Sequence, residues 1–218
     1  MKNLILSKYN QLAILFALSA IASLLLMFRI KTSDSFYLIF LVWNIFLAAI
    51  PYAITFGIQL KKRWFTRKWI QIIVFSIWLL FLPNAPYILS DFTHLRWSPD
   101  GFLAVDAAII SSFSLLGLLY MVYSIRDMLG LFFSTLSRKQ NLLLRICICL
   151  LIGFGIYLGR YLRWNSWDIL QNPIHLFSDV SAIVIHPIRN KLAWLITLGY
   201  AAMSLLVIQT INKLKWVH

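Results

Sequence analysis

Six apolar runs, at residues 11–28, 36–60, 69–82, 102–125, 142–158 and 192–211, constrain this chain more than any other feature. A bilayer hydrocarbon core about 30 Å thick takes about 20 apolar residues per helix. A helix also satisfies its own backbone polar groups, which an open sheet edge in lipid does not. The runs therefore predict an all-α integral membrane protein, a bundle of about six transmembrane helices forming one transmembrane domain over residues 1–218. Only 12% of the residues are charged, against about a quarter in soluble proteins. Little length is left for a soluble domain.

Charge sets the expected orientation. A net charge of +13 would suggest nucleic acid in a soluble protein. Here Lys and Arg lie mainly between the apolar runs, where they orient helices and meet anionic headgroups. Membrane lipids are the expected partners, and nucleic acid is not. The densest cluster, Lys61, Lys62, Arg63, Arg67 and Lys68, is interleaved with Trp64, Phe65 and Trp69, and marks a cytoplasmic loop. With both termini inside, 13 basic residues fall on the inner side and 7 on the outer, as the positive-inside rule requires. Lys2 and Lys8 before the first run resemble a signal sequence, and Ala20 and Ala22 offer a cleavage site. The apolar stretch continues through Phe28, which favours a retained helix.

Smaller features punctuate the runs. Pro51 predicts a kink in the second helix, and Asn44 a hydrogen bond to a neighbour. Ser98, Pro99, Asp100 and Gly101 read as a turn. The mixed stretch at 126–140 reads as an interfacial segment. Gly155 and Gly159 form a small-xxx-small pair for close helix packing. Short amphipathic helices are expected in the outer loops, one of them starting at Asn172 and Pro173 and ending at His186. Cys147 and Cys149 point about 200° apart on a helix and read as small apolar residues.

The candidate chemistry gathers at the expected outer face. All seven acids are aspartates. Residues 82–97, LPNAPYILSDFTHLRW, follow the third run, where Pro83 and Pro86 should end the span. On an α-helix Tyr87, Asp91 and His94 fall within about 60° of one face. A phenol, a carboxylate and an imidazole there can shuttle a proton or hold a polar group. His175 and Asp179 form a second pair, four residues apart. Together Asp91, His94, His175 and Asp179 would suit a divalent metal such as Zn or Mn. Asp106, just inside the fourth run, needs a partner, for which Arg160 or Arg163 is expected. Those arginines, three apart beside Trp164 and Trp167, suit an anionic head group or plain interfacial anchoring. No G-x-S-x-G, phosphate-cradling glycine loop, H-E-x-x-H or C-x-x-C is present.

Residues 81–95, FLPNAPYILSDFTHL, and 159–170, GRYLRWNSWDIL, resemble a family of bacterial multi-pass membrane proteins known as domain of unknown function thirteen-sixty-one. The resemblance covers most of the chain. It implies a bacterial cell membrane and a several-helix fold, and supplies no activity. The expected function is a polar site at the outer face that binds or processes a lipid head group or small polar ligand. Asp91, His94 and Asp168 are its catalytic candidates, and Tyr87, Asp106, Arg160 and Arg163 its ligand contacts. The alternatives are a structural or assembly subunit without catalysis, and a small-solute carrier using Asp106, Asn44 and the Pro51 kink.

Overall fold

The computed structural model describes residues 6–213. Lys2, Lys215 and Trp216, which contribute to the predicted orientation, lie outside the described residues, as do the side chains of Lys62 and Trp64. Every regular element among the described residues is helical. The elements are α1 (Tyr9–Ser33), α2 (Phe40–Leu60), α3 (Lys68–Phe81), α4 (Asn84–Tyr87), α5 (Leu103–Phe132), α6 (Arg138–Tyr161), α7 (Asp168–Gln171), α8 (Pro173–Ile185) and α9 (Lys191–Lys213). Two 3-10 helices, Lys62–Phe65 and Ile88–Trp97, join them. Six helices are long and apolar enough to cross a membrane. The chain is an all-α, multi-pass membrane protein.

It divides into two compact units, Met1–Ser134 with Gln209–His218, and Thr135–Ile208. In the first, α5 is the central element and packs against α1, α2, α4 and the Ile88–Trp97 helix. Its apolar residues are buried round most of its circumference, including Ile109, Phe113, Leu116, Met121, Tyr123 and Met128. By contrast, α1 and α3 expose large apolar side chains such as Phe16, Leu24, Ile72 and Ile73. Only hydrocarbon covers such a face without cost.

Lipid tails are as apolar as leucine, so close packing and polar pairs must hold these helices together. Gly117 supplies the close packing. A Cβ there would lie 2.3 Å from the Ala85 carbonyl oxygen, so only glycine lets α4 sit against α5. Nearer the other end, the buried Trp78 indole donates to Ser124 Oγ at 2.6 Å.

Two ion pairs pin α1 to α5. Arg29 meets Asp106 with Nε–Oδ1 at 2.6 Å and Nη2–Oδ2 at 3.3 Å, both residues fully buried. Lys8 pairs with Asp127. The second pair forces Lys8 to give up water, and burial lowers its pKa despite the opposing pull of Asp127. Positions 8 and 29 are 21 residues apart, as are 106 and 127. At 1.5 Å per residue that is about 31 Å, the thickness of a hydrocarbon core. The helices are therefore antiparallel and fastened at two points about one hydrocarbon-core thickness apart.

These pairs correct two expectations. Asp106 takes Arg29 as its partner, in place of Arg160 or Arg163. The stretch at 126–140 is no separate interfacial segment, because α5 runs on to Phe132 and α6 begins at Arg138. Asp127 lies within this continuation of α5 and pairs with Lys8. A capping box opens α6, with Ser137 Oγ accepting from the Gln140 amide and Gln140 Oε1 from the Ser137 amide.

In the second unit, Tyr157, Ile183 and Ala193 form a small core with Phe154, Leu158, Trp194 and Ile196. The close helix approach there falls at Gly153, whose Cβ would meet the Thr197 carbonyl oxygen at 2.2 Å. Cys147 is exposed, Cys149 buried, and both are free thiols.

Removing one partner of a buried ion pair costs about 3–5 kcal/mol, because the other charge is left uncompensated. Asp106→Asn should therefore destabilise the purified protein by about that amount, while Arg29→Leu combined with Asp106→Leu recovers most of the loss. Denaturant unfolding in mixed micelles measures both, and an unchanged midpoint for Asp106→Asn would refute the fastening role.

Candidate functional site

The prolines of residues 82–97 do not end the helical path. Pro83 precedes α4 and Pro86 lies within it, and the chain then winds into a ten-residue 3-10 helix, Ile88–Trp97. Such runs seldom exceed three or four residues, and i and i+3 side chains eclipse in them. The tighter winding aligns Asp91 with His94. Tyr87 ends α4, just before the winding tightens.

Asp91 is 1% exposed. Its Oδ2 accepts from Asn44 Nδ2 at 2.8 Å, the neighbour that the sequence required for Asn44. Its Oδ1 lies 3.9 Å from His94 Nε2, near enough for attraction to an imidazolium and too long for a hydrogen bond. The His94 side chain is 27% exposed and is ringed by Phe40, Trp97 and Tyr37, with centroids 4.8, 5.6 and 6.4 Å away. Tyr37 Oη donates to the His94 carbonyl oxygen at 2.6 Å. Burial, and then the nearby Asp106, raise the Tyr37 pKa, with Arg29 opposing.

Asp106 lies at the same end of the unit, with its charge already engaged. Ser98 Oγ donates to Oδ2 at 2.6 Å, and Arg29 holds both oxygens while its guanidinium sits 4.2 Å from the Phe102 ring centroid. The turn that delivers Phe102 closes from the Phe102 amide to the Pro99 carbonyl oxygen at 3.1 Å, one residue later than the sequence suggested. Gly101 takes its left-handed position at φ 84°.

The remaining candidates lie in the second unit. Arg160 is in the last turn of α6, but the helix stops at Tyr161 and Arg163 has left-handed backbone at φ 61°. The two arginines therefore do not share a helix face. Asp168 is buried, and its Oδ2 accepts from the Asn165 amide at 2.6 Å and from Asn165 Nδ2 at 3.2 Å. It closes the turn into α7. Asp179 Oδ2 accepts from the Trp164 indole at 2.9 Å, while His175 is exposed on α8. That helix begins at Pro173 and is capped at His186, as predicted, although the Asn172 side chain makes no cap hydrogen bond.

Asp91 and His94 thus belong to one unit and His175 and Asp179 to the other, each pair offering two ligands. Among the described residues, no three His, Cys or Asp side chains form a group able to hold a metal ion. The site's own chemistry is that of a buried carboxylate beside an accessible imidazole, which can accept and return a proton. Sequence reasoning missed Tyr37, Phe40 and Arg29. The apolar residues among them are unremarkable in spanning runs, and Arg29 reads as an ordinary flanking charge.

A left-handed conformation costs a non-glycine residue about 1–2 kcal/mol. Arg163→Gly should stabilise the protein by about 1 kcal/mol, read as a higher unfolding midpoint. An unchanged or lower midpoint would mean that the arginine side chain repays the strain.

No curated protein and no solved structure matches this chain. A family model described as "Protein of unknown function (DUF1361)" matches residues 43–207, a span that contains Asn44, both aspartates of the first site and the whole connection from α6 to α9. With most of its length matched, the chain belongs to the DUF1361 family.

Proposed function

We propose that the Asp91 end of the first unit is a polar site on the outer face of a bacterial cell membrane, which binds a lipid head group or a small polar ligand. The observation that carries this reading is the Asp91 and His94 pair. A buried carboxylate held by Asn44 has a partly exposed imidazole beside it, and the aromatic frame of Tyr37, Phe40 and Trp97 keeps that imidazole in place. Desolvating a carboxylate is expensive unless it is paired, and a fastening role alone would not require the imidazole to reach the surface. Asp91 and His94 are the residues for proton transfer, should the bound group be processed.

Two further parts of the reading concern orientation and partners. The Lys61 end faces the cytoplasm, following the excess of basic residues there, and membrane lipids rather than nucleic acid meet those residues. A structural subunit is the second reading, and the ion pairs of Asp106 and Asp127 favour it, since both fasten helices. A carrier needs polar residues near mid-membrane on several helices, whereas these pairs stand about one hydrocarbon-core thickness apart.

Isotope-labelled protein in detergent, titrated with glycerophosphoethanolamine, glycerophosphoglycerol and glycerophosphocholine, should show saturable shifts of the His94 ring resonances with at least one of these. Asp91→Asn should weaken that binding about tenfold, a loss of about 1.4 kcal/mol. Ring resonances that respond to none of the probes would overturn the head-group reading. Unchanged lipid turnover in His94→Ala would remove catalysis.

Orientation is tested separately in a background of Cys147→Ser and Cys149→Ser. Single cysteines replacing Asp100 and Thr66, both exposed, should label from opposite sides of intact cells, the first from outside. The reverse pattern would invert the proposed orientation.

A further inference from the structure

We infer that the Lys61 end of the first unit carries a built site for one anionic glycerophospholipid, with an acyl chain in the groove between α2 and α3 and the phosphate on the basic segment at 61–68. This site lies at the opposite end of the unit from Asp91 and His94 and is independent of the function proposed for them.

The groove is a cavity of about 440 Å³, within the range of about 300–1,000 Å³ typical of small-molecule sites. Ala53, Gly57 and Leu60 of α2 face Val74 and Ile77 of α3 across it, and Lys61 and Phe65 line it just beyond the end of α2. Gly57 borders open space, where an added Cβ would meet nothing within 4 Å. A second cavity of about 370 Å³ shares Ile58 and Phe65 with it and continues past Gln71 to Phe132 of α5. The walls of the first cavity are mostly hydrocarbon, those of the second mixed, and the neighbouring face of α3 exposes Trp69, Ile72 and Ile73. An acyl chain is the occupant that such a surface accepts inside a bilayer.

Charge identifies the head group. Lys61 lines the groove, Arg63, Arg67 and Lys68 of the same short segment are exposed, and the sequence contains no carboxylate between Asp34 and Asp91. Asp127, at the same end of the unit, is already paired with Lys8. The excess positive charge thus lacks acidic residues in its own segment, and a phosphodiester is the anion that reaches it together with an apolar tail. Arg offers a fork of donors to phosphate oxygens, and Lys a compact charge. General attraction to an anionic surface would require the charges alone. A specific site requires the groove as well.

The test separates these two requirements. Full-length protein is purified in detergent with equimolar phosphatidylglycerol and phosphatidylcholine, and the retained lipid is counted by native mass spectrometry. One phosphatidylglycerol should be retained in clear preference to phosphatidylcholine. Arg67→Gln and Lys68→Gln should each lower its retention about fivefold. Gly57→Phe, which fills the groove and leaves every charge in place, should abolish it, and Val74→Trp, which fills it from α3, serves if Gly57→Phe does not yield monodisperse protein. Equal retention of the two lipids would overturn the proposal. So would a phosphatidylglycerol preference that survives a folded groove-filling variant, because the attraction would then be that of a charged surface without a site.

Discussion

The buried pair of Arg29 and Asp106 is the interaction on which the first unit depends. Neither charge is tolerable alone in an apolar layer, so each makes the other's position obligatory. The pairing fixes the register of α1 against α5, and Lys8 with Asp127 repeats the constraint 21 residues away along both helices. Two fixed points on two rods leave little freedom to slide or tilt. Their separation also matches the thickness of a hydrocarbon core.

With α1 and α5 registered, the rest of the unit can pack without a hydrophobic drive. In lipid, apolar burial gains little, and contact distance and polar partners decide which faces meet. Gly117 lets the backbone at Ala85 approach, and Trp78 finds Ser124. These contacts bring the chain after α3 across α5, where it tightens into the 3-10 helix. That winding places His94 over Asp91 and within the rings contributed by Tyr37, Phe40 and Trp97. The candidate site is therefore a consequence of the helix register, and Asp106 holds Ser98 and Arg29 at the same end of the unit.

The two ends of the unit differ in a way that suits their proposed roles. At the Asp91 end, the buried carboxylates of Asp91 and Asp106 are matched by specific donors, and a partly exposed imidazole stands beside Asp91. At the Lys61 end, positive charge outnumbers acid and lies beside apolar grooves. One end presents proton-transfer chemistry under close geometric control, and the other presents a bed for an amphiphile.

The sequence by itself determined that this chain crosses a membrane about six times, close to where each helix runs, and that Asp91, His94, Asn44 and Asp106 lie near helix ends. Hydrocarbon thickness and backbone hydrogen bonding leave a long apolar run no other solution. A helix start such as Asn172 with Pro173 was equally readable, because proline's fixed φ acts locally. Only the tertiary structure decided that Asp106 answers Arg29, that Asp91 meets Asn44, that Arg163 leaves the helix and that Gly153 lies against the Thr197 backbone. Side-chain partners depend on which helices are neighbours and on a pitch that changed from 3.6 to 3 residues per turn within a few positions. No periodicity in the one-dimensional chain encodes either.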